Sequence, residues 1–156
     1  RYRRALYTFR FRSIPYPALQ AFDAPSGEIA TVQRPRSNSP LQALTTLNEP
    51  LFFECAEGLA QQTIAYGGES DQDRLDYAFR SCVSRKPTPE ESATLLAFLD
   101  EQTQRLQDGS LDPKQILGNP EADASELPEI VEQIQLAAWT VVSRVLLNLD
   151  ETITKE

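Results

Sequence analysis

The residues best placed to do chemistry fall in one stretch, RPRSNSPLQALTTLNEP, at positions 34–50. Ser39 followed by Pro40 reads as an N-cap and a first-turn proline. Arg34 and Arg36 lie just ahead of that helix start, and such ends attract anions. Asn38, Gln42 and Asn48 could hydrogen-bond sugar hydroxyls, so the set suits a sulfated or carboxylated glycan. Asp23 and Glu49 could in principle serve as the acid and base of glycoside hydrolysis. A purely structural reading competes with this and is the stronger: Asn38 and Asn48 cap helices, and the arginines pair with acids inside the fold.

Elsewhere the chain offers little for catalysis. It has no His, which removes the commonest general base, the commonest transition-metal ligand and any Ser–His or Cys–His nucleophile. A zinc site would have to rest on two Cys and carboxylates. The aspartates of DGSLDPKQILGNPEADASEL, residues 108–127, lack the Asp-x-Asp-x-Asp-Gly spacing of a calcium loop. No metal, cofactor or catalytic residue is therefore expected, and the balance leans against an enzyme.

The elements that must hold these residues are helical. Asn48-Glu49-Pro50 repeats the Ser39-Pro40 device, so two helices start about ten residues apart. Leu41, Leu44 and Leu47 share a face of the first. The second runs roughly 16 residues to Tyr66, with Phe52, Cys55, Ala56, Leu59 and Thr63 on one face, and Gly67-Gly68 stops it. A third spans 71–85, with Asp71, Asp73 and Asp76 at its positive end and Leu75, Ala78, Phe79 and Cys82 as its apolar face. In KPTPEE, Thr88 and Glu91 form a capping box around Pro89, opening a helix to Gln107 that buries Leu95, Leu96, Leu99 and Leu106.

The last helix, 128–148, has an apolar arc broad enough to be packed on several sides, and is expected to be the centre of the core. Arg144 lies within it; its stem should pack while its head pairs with an acid. Residues 108–127 read as a long acidic surface loop. A short amphipathic helix fits 1–12, PALQAF is at most one or two helical turns, and EIATVQ at 28–33 could be one extended segment. The expected architecture is all-α: an irregular bundle of about five helices in a single domain over 1–156. It comprises a basic arm at 1–36, a helical core at 37–107, the acidic loop, and the central helix at 128–150.

Cys55 and Cys82 lie at similar distances on either side of the Gly67–Ser70 turn, which is expected to join two antiparallel helices. That arrangement admits a disulfide if their Cα atoms approach within roughly 7 Å; two reduced, buried thiols are the alternative. A bridge would imply an oxidising compartment.

Charge is segregated. Residues 1–36 hold seven Arg against Asp23 and Glu28, a balance of +5, while the rest holds 8 basic and 21 acidic residues, a balance of −13. So acidic a body argues against nucleic acid as a partner. No apolar run is long enough to insert in a membrane, and no signal peptide is visible. The chain contains no Met, so a fragment or processed product is expected.

The stretches LYTFRFRSIPYPALQAFDAP, TVQRPRSNSPLQALTTLNEPLFFECAEGLA, AFRSCVSRKPTPEE and AAWTVVSRVLLNLDE, in this order, closely resemble the C-terminal part of the planctomycete-specific domain family. Its members lie near the ends of large exported proteins that often carry cytochrome-c-like haem domains. The resemblance implies a periplasmic, cell-surface or secreted protein. It supplies no catalytic residues, and the Cys-x-x-Cys-His haem motif is absent here. Function is expected to be that of an interaction or scaffolding module, packing on the remainder of a parent chain or on a neighbouring domain. A glycan-binding site at Arg34, Arg36, Asn38, Gln42 and Asn48 is the alternative.

Overall fold

The structure, a computed structural model, describes residues 7–9, 14, 16–33, 35–117 and 130–154. Among them are eight helices and no strand: α1 (Pro17–Ala21), α2 (Pro40–Asn48), α3 (Pro50–Tyr66), α4 (Asp71–Val83), α5 (Pro89–Gln107), α6 (Pro113–Ile116), α7 (Ile130–Leu147) and α8 (Asp150–Ile153). The all-α expectation therefore holds; PALQAF forms the short α1, and the short α6 and α8 are added to the five long helices. The 28–33 segment is irregular rather than a strand. The helix expected over 1–12 falls largely outside the described residues.

Local chemistry sets the boundaries. Ser70 caps α4 by accepting from Asp73 N, and Ser84 ends it in the left-handed region at φ 64°. Thr88 and Glu91 form the capping box that opens α5 behind Pro89. Asp112 caps α6 by accepting from Lys114 N at 3.0 Å. The first half of the expected acidic loop is thus partly helical. It is held down because Leu111, Ile116 and Leu117 pack against the core.

α7 is the centre of the bundle and packs on α2, α3, α4, α5, α6 and α8. Its buried residues include Ala137, Ala138, Trp139, Thr140, Val142, Ser143 and Leu146, and Trp139 is 1% exposed. α3 meets it with Ala56, Ala60 and Thr63. No other helix pair shares as many close backbone approaches, which these small side chains permit. Their buried hydroxyls bond back into their own helices: Thr63 Oγ1 donates to Leu59 O at 2.8 Å and Thr140 Oγ1 to Leu136 O at 2.7 Å. Phe79, Leu75, Leu99 and Leu106 from α4 and α5 complete the core.

At the opposite end of α4, Arg85 joins three elements. Its guanidinium donates to both oxygens of Glu91 at 2.8 and 2.9 Å and to Glu151 at 2.7 Å, and it lies 4.9 Å from the centre of the Phe79 ring. Hydrogen bonds from Arg85, and then from the Thr88 backbone, hold the Glu91 carboxyl at about 2, below its ordinary 4.5. A depressed carboxyl contributes stability that is complete above pH 4.5 and lost as pH falls toward 2. Thermal melts across that window should show falling stability in the wild type. Glu91→Gln should be less stable at neutral pH and lose that part of the acid limb. An unchanged pH profile in the variant would contradict the network's role.

Candidate functional site

The stretch that carries the candidate residues folds around Gln42, which is 1% exposed despite its polarity. Its Oε1 accepts from Ser39 N at 3.1 Å, one half of a capping box at the start of α2. Its Nε2 donates to Ser37 Oγ at 3.2 Å and to Asp23 Oδ2 at 3.4 Å. Ser37 in turn donates to Asp23 Oδ2 from its backbone N at 2.8 Å and from its hydroxyl at 2.7 Å. Asp23 itself stands at φ 56°, a left-handed conformation that aspartate tolerates better than most residues. The neighbouring Phe22 ring packs 5.8 Å from Phe52 of α3, which anchors this turn to the bundle.

Thr46, one helical turn on, is also buried; its hydroxyl bonds Ala43 O at 2.9 Å and Asn148 Oδ1 at 2.5 Å. Arg144 of α7 donates from Nη2 to Leu47 O at 2.8 Å and lies 3.9 Å over the Phe53 ring. The acid expected for it is absent among the described residues. The carbonyl at the negative end of α2 and the ring face take that role instead, and burial pulls the guanidinium below its ordinary pKa.

These tethers turn α2 over. At about 100° per residue, bringing Gln42 and Thr46 inward carries Leu41 and Leu44 outward, where they are 61% and 54% exposed. Leu41 and Leu44 thus share a face, as their spacing implies, and that face is turned to solvent because the buried polar pair makes the bonds that fix the helix.

The four described candidate ligand residues, Arg36, Asn38, Gln42 and Asn48, do not converge on one cleft. Arg36 and Gln42 line one cleft of about 390 Å³, walled by Phe22, Asp23 and, from the end of α8, Ile153 and Thr154. Asn38 is exposed on the rim of the chain. Asn48 lies at the other end of α2, where its Nδ2 donates to Leu44 O at 2.7 Å. It closes one helix rather than capping the next, a position taken by Glu49. Arg34 lies outside the described residues. Asp23 is committed to Ser37 and Gln42, and Glu49 lines a different, shallow recess beside Asn48, so the two do not face each other as an acid and base. Sequence reasoning missed Ser37, whose hydroxyl joins Gln42 to Asp23; only the fold brings positions 23, 37 and 42 together.

The disulfide reading is also corrected. No disulfide joins the two cysteines: Cys82 is buried in α4 and Cys55 is exposed on α3. Equal heights are insufficient. Cys55 lies one residue before the buried Ala56–Ala60–Thr63 stripe, hence about 100° away from the packed face. Desolvation, and then the Glu54 carboxylate, push its thiol above the ordinary value.

No described helix is long and apolar enough to cross a membrane, and no cluster of metal-ligating side chains occurs among the described residues. Residues 1–99 match a family model described as "PSD1: Protein of unknown function (DUF1553)". No curated protein and no solved structure matches the chain.

Two outcomes follow from this geometry. Gln42→Ala, which strands Ser39 N and frees Ser37, should lower stability by about 1–3 kcal/mol in denaturant melts; an unchanged midpoint would contradict the tether. Without reductant, the folded protein should present one readily alkylated thiol, Cys55. A second should appear on unfolding, and a mass lower by the two hydrogens of a disulfide would overturn the free-thiol assignment.

Proposed function

The chain belongs to the PSD1 family of proteins of unknown function, and on that premise we propose that it is an interaction or scaffolding module of a larger extracytoplasmic protein. Its partner is the remainder of that protein or a neighbouring domain. The observation that carries this reading is the inverted α2. The helix has no charged side chain and presents Leu41 and Leu44 outward; Leu51, at the start of α3, is 49% exposed. Pinned from behind by Gln42, Thr46 and Arg144, this surface cannot fold its leucines away, and an apolar, uncharged, fixed face suits protein contact.

The second reading, an anionic glycan in the cleft of Arg36 and Gln42, draws on their shared lining of that cleft. It is weaker on two counts. The Gln42 amide already has protein acceptors, and the Asp23 carboxylate stands beside the same space.

Paired substitutions distinguish the readings. Leu41→Gln with Leu44→Gln should change the melting of the isolated chain by about 0.5 kcal/mol or less, as exposed positions do, yet destabilise the complete parent protein. Equal, small effects in both would overturn the docking role. Retention of a sulfated glycan by the parent, lost in Arg36→Ala, would favour the alternative.

A further inference from the structure

A recess of about 630 Å³ lies between the start of α4, the middle of α5 and the first turns of α7, within the range of small-molecule sites. Its floor is apolar, with Leu96, Leu99 and Ile134 above the buried Trp139. Its rim is acidic and amidic: Asp71, Asp100 and Gln135 line it, and no Lys or Arg does.

The two carboxylates differ. Asp71 has a long ion pair with Arg74, Nη1 to Oδ1 at 3.5 Å. Asp100 accepts only from Gln104 Nε2 at 3.1 Å on one oxygen, and its other oxygen has no protein partner among the described residues. Gln135, on the facing helix, is half-buried and has no hydrogen-bond partner among them either. An apolar floor beneath an unpaired carboxylate and a free amide is complementary to a small organic cation with an apolar body. Its ammonium would lie at Asp100 and its hydrocarbon against Leu96 and Ile134.

We propose that this recess is a binding site for amphipathic amines, with Asp100 as the charge anchor and Leu96 and Ile134 as its apolar floor above the buried Trp139. The site is separate from the α2 surface and does not depend on the docking role given to it.

Trp139 is the sole tryptophan, so its emission reports on the recess directly. Titration of the full chain with phenethylammonium should shift that emission saturably. The neutral 2-phenylethanol should bind more weakly, and phenylacetate should have no effect. Asp100→Asn should weaken the amine about fivefold, the worth of a partly exposed ion pair, while Gln135→Glu should strengthen it and Glu28→Gln, remote on the surface, should leave it unchanged. Equal binding of all three compounds, no saturable shift with the amine, or an Asp100→Asn protein that binds as the wild type would each overturn the proposal. Gln135→Glu keeps the test decisive should Asp100→Asn fail to fold.

Discussion

The structure depends on one constraint: the middle of α7 is surrounded, so its polar groups there are cut off from water. Thr140 meets this by bonding its own helix at Leu136 O, while the Ser143 hydroxyl and Arg144 Nε are buried with no hydrogen-bond partner among the described residues. Alanines and small hydroxyl residues make up the buried positions of α3 and most of those of α7, and the two backbones lie close. Dispersion over many short contacts then replaces the burial of a few large side chains. The bulk needed for a core enters from the other side, through Trp139, Phe79, Leu75 and Leu99.

That arrangement dictates how α2 is held. No broad apolar face of α2 docks on α7. Instead the end of α7 reaches it with polar groups, Arg144 to Leu47 O and Asn148 to Thr46. Gln42 ties the other end to the Asp23 turn. Hydrogen bonds are directional where hydrophobic contact is not, so three polar tethers fix the rotation of a nine-residue helix and leave its leucines outside. The same rigidity is what makes that outer face available as a surface.

Charge is handled differently at the two ends of the molecule. Arg85 is shared between Glu91 and Glu151 and braced by the Phe79 ring, which ties α4, α5 and α8 together. At the recess above Trp139, Asp100 has no counter-ion among the described residues. An acidic chain can leave such a carboxylate exposed at little cost in water, so its importance lies in what it could recognise rather than in what it stabilises.

The five long helices were legible from position and spacing: Ser39-Pro40, Pro50, Asp71 behind Ser70, and the Thr88–Glu91 box each mark a start by local bonding that needs no distant partner. The breadth of the apolar arc on α7 likewise identified the core helix, because a stripe wider than one face must be packed on several. What the sequence could not determine was rotation and partnership. Spacing put Leu41 and Leu44 on one face but did not decide that it is the outer one, and it admitted a Cys55–Cys82 bridge that the fold does not make. Leu111, Ile116 and Leu117 were expected in a loop and pack on the core. In each case the deciding contact joins residues far apart in the chain, such as Thr46 with Asn148 or Gln42 with Asp23. Helical periodicity specifies which residues share a face, but only the partners supplied by tertiary packing decide whether that face turns toward the core or toward water.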